Sequence, residues 1–314
     1  MKVAFTGKGG SGKTTISSLF SLYMAQCGRR TLLLDADINQ HATAAIGAPA
    51  YPRSMGADMA DIKSYLAGSN PLLSGGRAML KTTPPGTGSK LVSLDGDDWF
   101  INEFTSESYG VRVAGAGYIP DSNIGVRCYH GLNGAVELVL SHMIDAPDDA
   151  VIVDMTAGAD AFSSGLFTKP DALVVVVEPT RKSLDVYHQF TSRCKEYDIP
   201  LFVVANKVED ADDRAFIESE VLAVVAEIGL QSAIRKFEKG QTELRAALQI
   251  HEITAAFDAL CDTLLAVNRD WNLVQQRAVA MHVKACNTWA GSEALRQVDK
   301  SFSLKAAAQK ILLA

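Results

Sequence analysis

Apolar positions in this 314-residue chain fall into two recurring patterns. Short unbroken runs rich in Val, Ile and Leu occupy residues 3–6, 31–35, 111–114, 150–155, 172–178 and 201–205. Runs without polar alternation need apolar cover on both faces, which marks strands of a parallel sheet held between helices. Segments of helical length separate them. Residues 15–26 place Ile16, Leu19, Phe20, Tyr23 and Met24 on one side of a helix, and Gly28 supplies its stop. The alternation predicts an α/β fold, a doubly wound, mostly parallel sheet flanked by helices.

Between 48 and 108 the pattern degrades. Pro84-Pro85-Gly86-Thr87-Gly88 reads as a loop, and residues 90–106 as a hairpin turning at Asp95-Gly96-Asp97, together an insertion on the rim. Past 230 the strand signal fades. Val274, Ala278, Met281, Ala285 and Trp289 recur at helical spacing, as do Leu304, Ala308, Ile311 and Leu312. The expected organisation is a main domain over 1–265, with the insertion at about 48–108, and a helical C-terminal extension over 266–314.

Composition narrows the class of protein. With 47% hydrophobic and 21% charged residues the chain is an ordinary globular one. A net charge of −6 argues against a general nucleic-acid binder. The charge is uneven: seven Lys/Arg against three acids from residue 266 onward leave +4 there and −10 in the body. Five scattered cysteines without a CxxC suit a reducing compartment. No apolar run approaches ~18 residues and the N-terminus lacks the look of a leader, so a cytoplasmic protein is expected.

The first strand runs into Gly7-Lys8-Gly9-Gly10-Ser11-Gly12-Lys13-Thr14-Thr15. This satisfies G-x-x-x-x-G-K-[ST] between a strand and a helix, the context a phosphate-binding loop requires. Backbone N–H groups of Gly9, Gly10, Ser11, Gly12 and Lys13 can wrap a β-phosphate at the positive helix end. Lys13 would reach the β- and γ-oxygens, the Thr14 hydroxyl would ligate Mg²⁺, and Thr15 could touch the α-phosphate. A second lysine at the entrance, Lys8, is not required by the loop itself.

Three further motifs follow in order: Asp35-Ala36-Asp37, Asp154-Met155-Thr156-Ala157-Gly158 and Asn206-Lys207. Together with GKGGSGKTT they resemble the deviant Walker A class that includes MinD, ParA and the nitrogenase iron protein. The resemblance spans roughly residues 1–265. It implies an ATP-dependent homodimer in which Lys8 reaches the phosphates bound by the partner, neutralising charge on the transferred γ-phosphoryl. It also implies that Asp37 orients or deprotonates the attacking water, that Asp154 helps hold Mg²⁺ through water, and that Asn206 reads adenine. Asp35 is either a supporting partner or a strand cap.

Within that class the iron–sulfur reductases need a cysteine just after the motif that begins here at Asp154, and MTAGADAFSSGLF has none. The sequence resembles most the CooC-type ATPases, which mature the nickel site of carbon monoxide dehydrogenase. That group carries a Cys-x-Cys motif where this chain has Cys128-Tyr129-His130. Cys128 and His130 would give a dimer a Cys₂His₂ site for Ni²⁺ or Zn²⁺, with a client protein as partner. Otherwise Cys128 is a small buried hydrophobe and His130 a loop hydrogen-bonder. Glu178-Pro179 after the fifth strand adds modest support. His41 reads as a solvated loop residue rather than a phosphate sensor, and His251 and His282 as surface or packing residues.

The tail raises a rival reading: a MinD/ParA-type spatial organiser, which would end in a basic amphipathic helix that binds membrane when ATP has paired two copies. Residues 301–314 have Lys305 and Lys310 beside Leu304, Ile311, Leu312 and Leu313. The segment is short and alanine-rich, which favours packing or partner docking over membrane contact. ParA-like DNA binding conflicts with the −10 of the body. A kinase or a synthetase of the dethiobiotin type shares the loop, but no small-substrate pocket is legible.

Overall fold

The computed structural model describes every residue except 74, 75, 77, 96, 119–128 and 314, and describes Tyr129 and His130 by backbone only. Among the described residues eight strands form one sheet: β1 (Lys2–Gly7), β2 (Arg30–Ala36), β3 (Ser106–Ser108), β4 (Val111–Gly115), β5 (Asp149–Met155), β6 (Ala172–Val177), β7 (Leu201–Val208) and β8 (Ala226–Gly229). Their order is β3-β4-β2-β5-β1-β6-β7-β8, parallel throughout except β3, which runs antiparallel to β4. All six strands expected from the apolar runs are present. Two lie outside that expectation: β3, a three-residue polar edge (SES), and β8, whose AEIG alternates on a half-covered edge.

The helices are α1 (Lys13–Gln26), α2 (Ala42–Ala45), α3 (Met59–Ala67), α4 (Trp99–Phe104), α5 (Tyr129–Ser141) and α6 (Arg181–Glu196). After them come α7 (Ala211–Glu218), α8 (Ser232–Glu238), α9 (His251–Leu265), α10 (Trp271–Ala285) and α11 (Leu304–Leu312). Two apolar clusters cover the two faces of the sheet. One joins alternate residues Leu33, Ile152 and Val174 to α1 and α9, where Phe20 meets Phe257 edge-on at 5.5 Å. The other joins Leu34, Val153 and Val175 to α3, α4, α5 and α6. Gly28, at φ +79°, ends α1 as expected, because its left-handed backbone lets Arg29 N–H bond back to Met24.

The hairpin expected at 90–106 is not what forms. Val92 makes a single parallel bridge to Met143, and residues Trp99–Phe104 are helical, capped by Asp98, whose carboxylate accepts from Phe100 and Ile101 N–H. Asp98, the residue directly after the expected turn, acts as an N-cap and starts a helix there, which is the physical reason. Nor is the stretch peripheral. Ile62, Leu66, Phe100 and Phe104 are fully buried in the face they share with α5.

The tail folds back onto the body. Leu304 and Ala308 of α11 are buried against Ile144, with Trp271, Val274 and Ile311 around them. At the amino edge of the sheet Arg269 clamps Asp145 and Asp171, beside the N-terminal ammonium, 2.8 Å from Asp145. His282 is buried, bonded to Thr82 (3.1 Å) and the Ala294 carbonyl (2.9 Å), so it is a packing residue; His41 and His251 are exposed. Among the described residues no helix is long and apolar enough to cross a membrane.

Candidate functional site: a phosphate loop ringed by carboxylates

β1 lies between β5 and β6, so the chain leaves the sheet in opposite directions on either side of it. Ligands of open α/β sheets sit at such a switch point, at the carboxyl ends of the strands. There β1 ends in the glycine loop. Gly10 and Gly12 adopt φ +84° and +92°, and a Cβ on Gly12 would run into the Asn206 amide, so only glycine lets the loop close on that side chain. α1 then opens at Lys13, leaving its first N–H groups facing the cradle.

The register of the neighbouring strands sets the carboxylates around it. Asp35 of β2 and Asp154 of β5 are directly paired, and Asp154 also pairs with Phe5 of β1. Lys13 Nζ donates to Asp37 Oδ2 and lies 3.9 Å from Asp154 Oδ1. Thr14 Oγ1 donates to Asp154 Oδ2 at 2.6 Å. Asp35 accepts from the N–H groups of Ala42 (2.8 Å) and Asp37 (3.1 Å) and so shapes the turn that presents Asp37. It is a supporting residue.

Three buried carboxylates around one ammonium leave the pocket short of positive charge. Burial pushes the Asp154 carboxyl up to about 6, against the pull of Lys13 and the Thr14 bond. Burial and the neighbouring Asp154 push Asp35 up to about 8. Lys13 is held above its usual range, because Asp154 and Asp37 outweigh the burial that would lower it.

The donor set fits a hard cation. Thr14 and Asp154 present oxygens side by side, and Asp154 Oδ1 is buried with no hydrogen-bond partner among the described residues. Oxygen ligands with room left for phosphate and water are what Mg²⁺ takes. No group of three or more His, Cys, Asp or Glu among the described residues could hold a metal by itself. Cys128 lies outside the described residues, and of His130 only the backbone, in the first turn of α5, is described.

Asn206 ends up beneath the loop: its Nδ2 donates to the Ser11 carbonyl at 2.8 Å. With Gly12, Thr15, Leu230 and Ile234 it lines a hollow beside the loop. Lys8 stands at the mouth, its Nζ 2.7 Å from Glu178 Oε1 and 3.2 Å from the Gly9 carbonyl. Lys207, quoted in the sequence only as the neighbour of Asn206 and given no role there, also reaches Glu178 (3.2 Å) and bonds the Gly10 carbonyl at 2.5 Å. Sequence reasoning missed the buried pair Glu137–Lys169, 3.7 Å apart. A lone acid in the apolar run of α5 was the available signal.

The chain belongs to the CobQ/CobB/MinD/ParA nucleotide-binding domain family, whose profile matches residues 2–244. It is an ATP hydrolase of that family. The carbon monoxide dehydrogenase accessory protein CooC of Rhodospirillum rubrum is 27% identical over 270 residues, covering 85% of this chain and 95% of its own. An uncharacterized ATP-binding protein of Methanocaldococcus jannaschii is 27% identical over 216 residues, 68% of this chain and 77% of its own. Among solved structures, a ParA family ATPase from Chlorobium tepidum superposes with TM-score 0.57 at 15% identity, covering 85% of this chain and 99% of its own. MinD of Pyrococcus horikoshii complexed with Mg-ADP gives 0.53 at 14%, covering 84% and 95%.

Proposed function

We propose that the chain is an ATP-gated dimeric switch that serves the maturation of a metalloenzyme partner. The observation that carries the switch is the position of Lys8. Its amine sits part-exposed at the loop mouth on Glu178, outside the Lys13–Asp37–Asp154 cluster. A cation there complements a second copy's nucleotide rather than its own cradle.

The site chemistry follows from what the residues hold. Entry of ATP gives Lys13 phosphate oxygens in exchange for Asp37. Asp37 then has an oxygen to orient the attacking water, which Lys13 otherwise occupies. Thr14 and Asp154 would hold Mg²⁺, which when bound neutralises phosphate charge. Adenine would lie in the hollow over Leu230 and Ile234, its edge on Asn206. Lys8 from the partner copy would meet charge developing on the γ-phosphoryl, tying turnover to pairing. Lys8→Ala is expected to keep ATP binding, measured by titration with a fluorescent analogue, and to lose hydrolysis by 10²-fold or so; full hydrolysis by Lys8→Ala refutes the role in trans.

The client side rests on the likeness to CooC along nearly its whole length. Ni²⁺ or Zn²⁺ bound at Cys128 and His130 would be the cargo. Equilibrium dialysis of the ATP-loaded protein with each metal tests it. About one metal per dimer, lost in Cys128→Ala, is expected; no binding contradicts it. A MinD/ParA-type organiser is the second reading. Leu304 and Ala308 are already buried, which leaves Leu312 and Leu313 as the apolar surface α11 can offer a membrane. Co-sedimentation with anionic liposomes that requires both ATP and residues 301–314 would favour the organiser.

A further inference from the structure

On sequence Glu178 is only the first half of a Glu-Pro pair. In the structure it is the hub of the loop mouth. It follows β6, whose Val176 pairs with Gly7 of β1, so it stands beside the base of the loop. Its backbone is fixed: its N–H donates to Ser183 Oγ at 3.0 Å, and its carbonyl accepts from Thr180 N–H at 2.6 Å. One carboxylate oxygen takes Lys8 and the other takes Lys207. Lys207 occupies a bulge between Asn206 and Val208 with φ +61°, an unusual backbone for lysine, and spends that strain on reaching Glu178 and the Gly10 carbonyl. Burial would raise the Glu178 carboxyl, but the two lysine bonds hold it below the ordinary range, so it stays ionised.

A carboxylate with two cations can give one away. Removing the sole partner of a buried charge is costly, because the charge is left uncompensated. Glu178 would keep Lys207 when Lys8 departs. We propose that Glu178 is a positioning residue that holds Lys8 on its own chain and releases it to the nucleotide of a second copy on docking, with Lys207 as the cation that stays. The inference rests on the in-trans reading of Lys8. It adds that the free chain carries a latch, and that the latch raises the protein concentration at which ATP brings two copies together.

The test is the dependence of ATP hydrolysis on protein concentration, with sedimentation velocity at each point. Glu178→Gln loosens the hold on Lys8. Each latch released is worth about threefold, the range of a part-exposed ion pair, so half-maximal pairing moves about tenfold lower for two. Lys207→Gln leaves Lys8, among the described residues, as the one cation on Glu178 and moves the midpoint the other way. A merely structural role would not give shifts of opposite sign. Adding Lys8→Ala to Glu178→Gln erases the downward shift. Glu178→Asp, a shorter carboxylate, is measured alongside and shifts downward by less, which keeps the test usable if Glu178→Gln folds poorly. No downward shift in either Glu178 variant, while Lys8→Ala alone remains inactive, overturns the latch and leaves the in-trans lysine standing. Full, concentration-dependent hydrolysis by Lys8→Ala overturns both.

Discussion

At the scale of single residues the site is organised by a deficit of positive charge. Asp35, Asp37 and Asp154 converge on Lys13, and strand pairing leaves Asp35 and Asp154 no way to separate. Each carboxyl raised by burial carries a sign for stability. Asp154 keeps its proton to about pH 6 when folded, against 3.8 as an ordinary aspartate. The native state therefore binds more protons between those values, and the ligand-free protein loses stability as pH rises through them. Urea titrations at pH 5 and pH 7 should show that loss, and Asp154→Asn should reduce it. Mg·ADP binding should run the opposite way, since the cation needs the ionised carboxylate. Calorimetry in two buffers of different ionisation enthalpy is expected to show proton release near pH 6 and affinity about fourfold higher at pH 7.5 than at pH 5.5.

At the scale of elements, α5 is tied at two places to the stretch that leaves β5. Asn133 Nδ2 donates to Thr156 Oγ1 at 3.3 Å, and Glu137 Oε2 accepts from Gly165 N–H at 3.2 Å while pairing with Lys169. Both Glu137 and Lys169 are fully enclosed, so Glu137→Ala strands a buried ammonium. A loss of about 3–5 kcal/mol is expected by chemical denaturation, largely recovered in Glu137→Leu/Lys169→Met. Elements also show where the sequence was readable. Six apolar strands, the loop and the carboxylates at strand ends could be read because each is a local pattern in continuous residues. The edge strands β3 and β8 could not, being short and held by one neighbour each. Residues 48–108 misled for another reason: Ile62, Leu66, Phe100 and Phe104 come from separated stretches that form one face only after folding. Phe104→Ala should therefore cost about 3–5 kcal/mol, as a core residue does, rather than the near-zero cost of a rim position. Glu178 and Lys207 were legible as residues, but their meeting at the loop depends on the order of β1, β6 and β7.

At the scale of the whole molecule, the sheet fixes the nucleotide site at one edge and the tail closes the opposite one. Arg269, Asp145, Asp171 and the N-terminus lock that far edge, and α11 seals Ile144 beside it. Leu304→Ala is expected to lower stability by about 2–4 kcal/mol in a thermal or urea melt while ATP still binds, because the contact lies at the far edge. The central claim is that the switch works between chains, Lys8 of one acting on the nucleotide of the other. It is tested most directly by mixing two inactive variants, Lys8→Ala and Asp37→Asn, in equal amounts. A mixed pair has one complete site, built from the Asp37 of the first chain and the Lys8 of the second. Random pairing makes half the dimers mixed, so hydrolysis should return to about a quarter of the unmutated rate. A mixture that forms dimers yet stays inactive, or Lys8→Ala that hydrolyses ATP fully on its own, would contradict the claim.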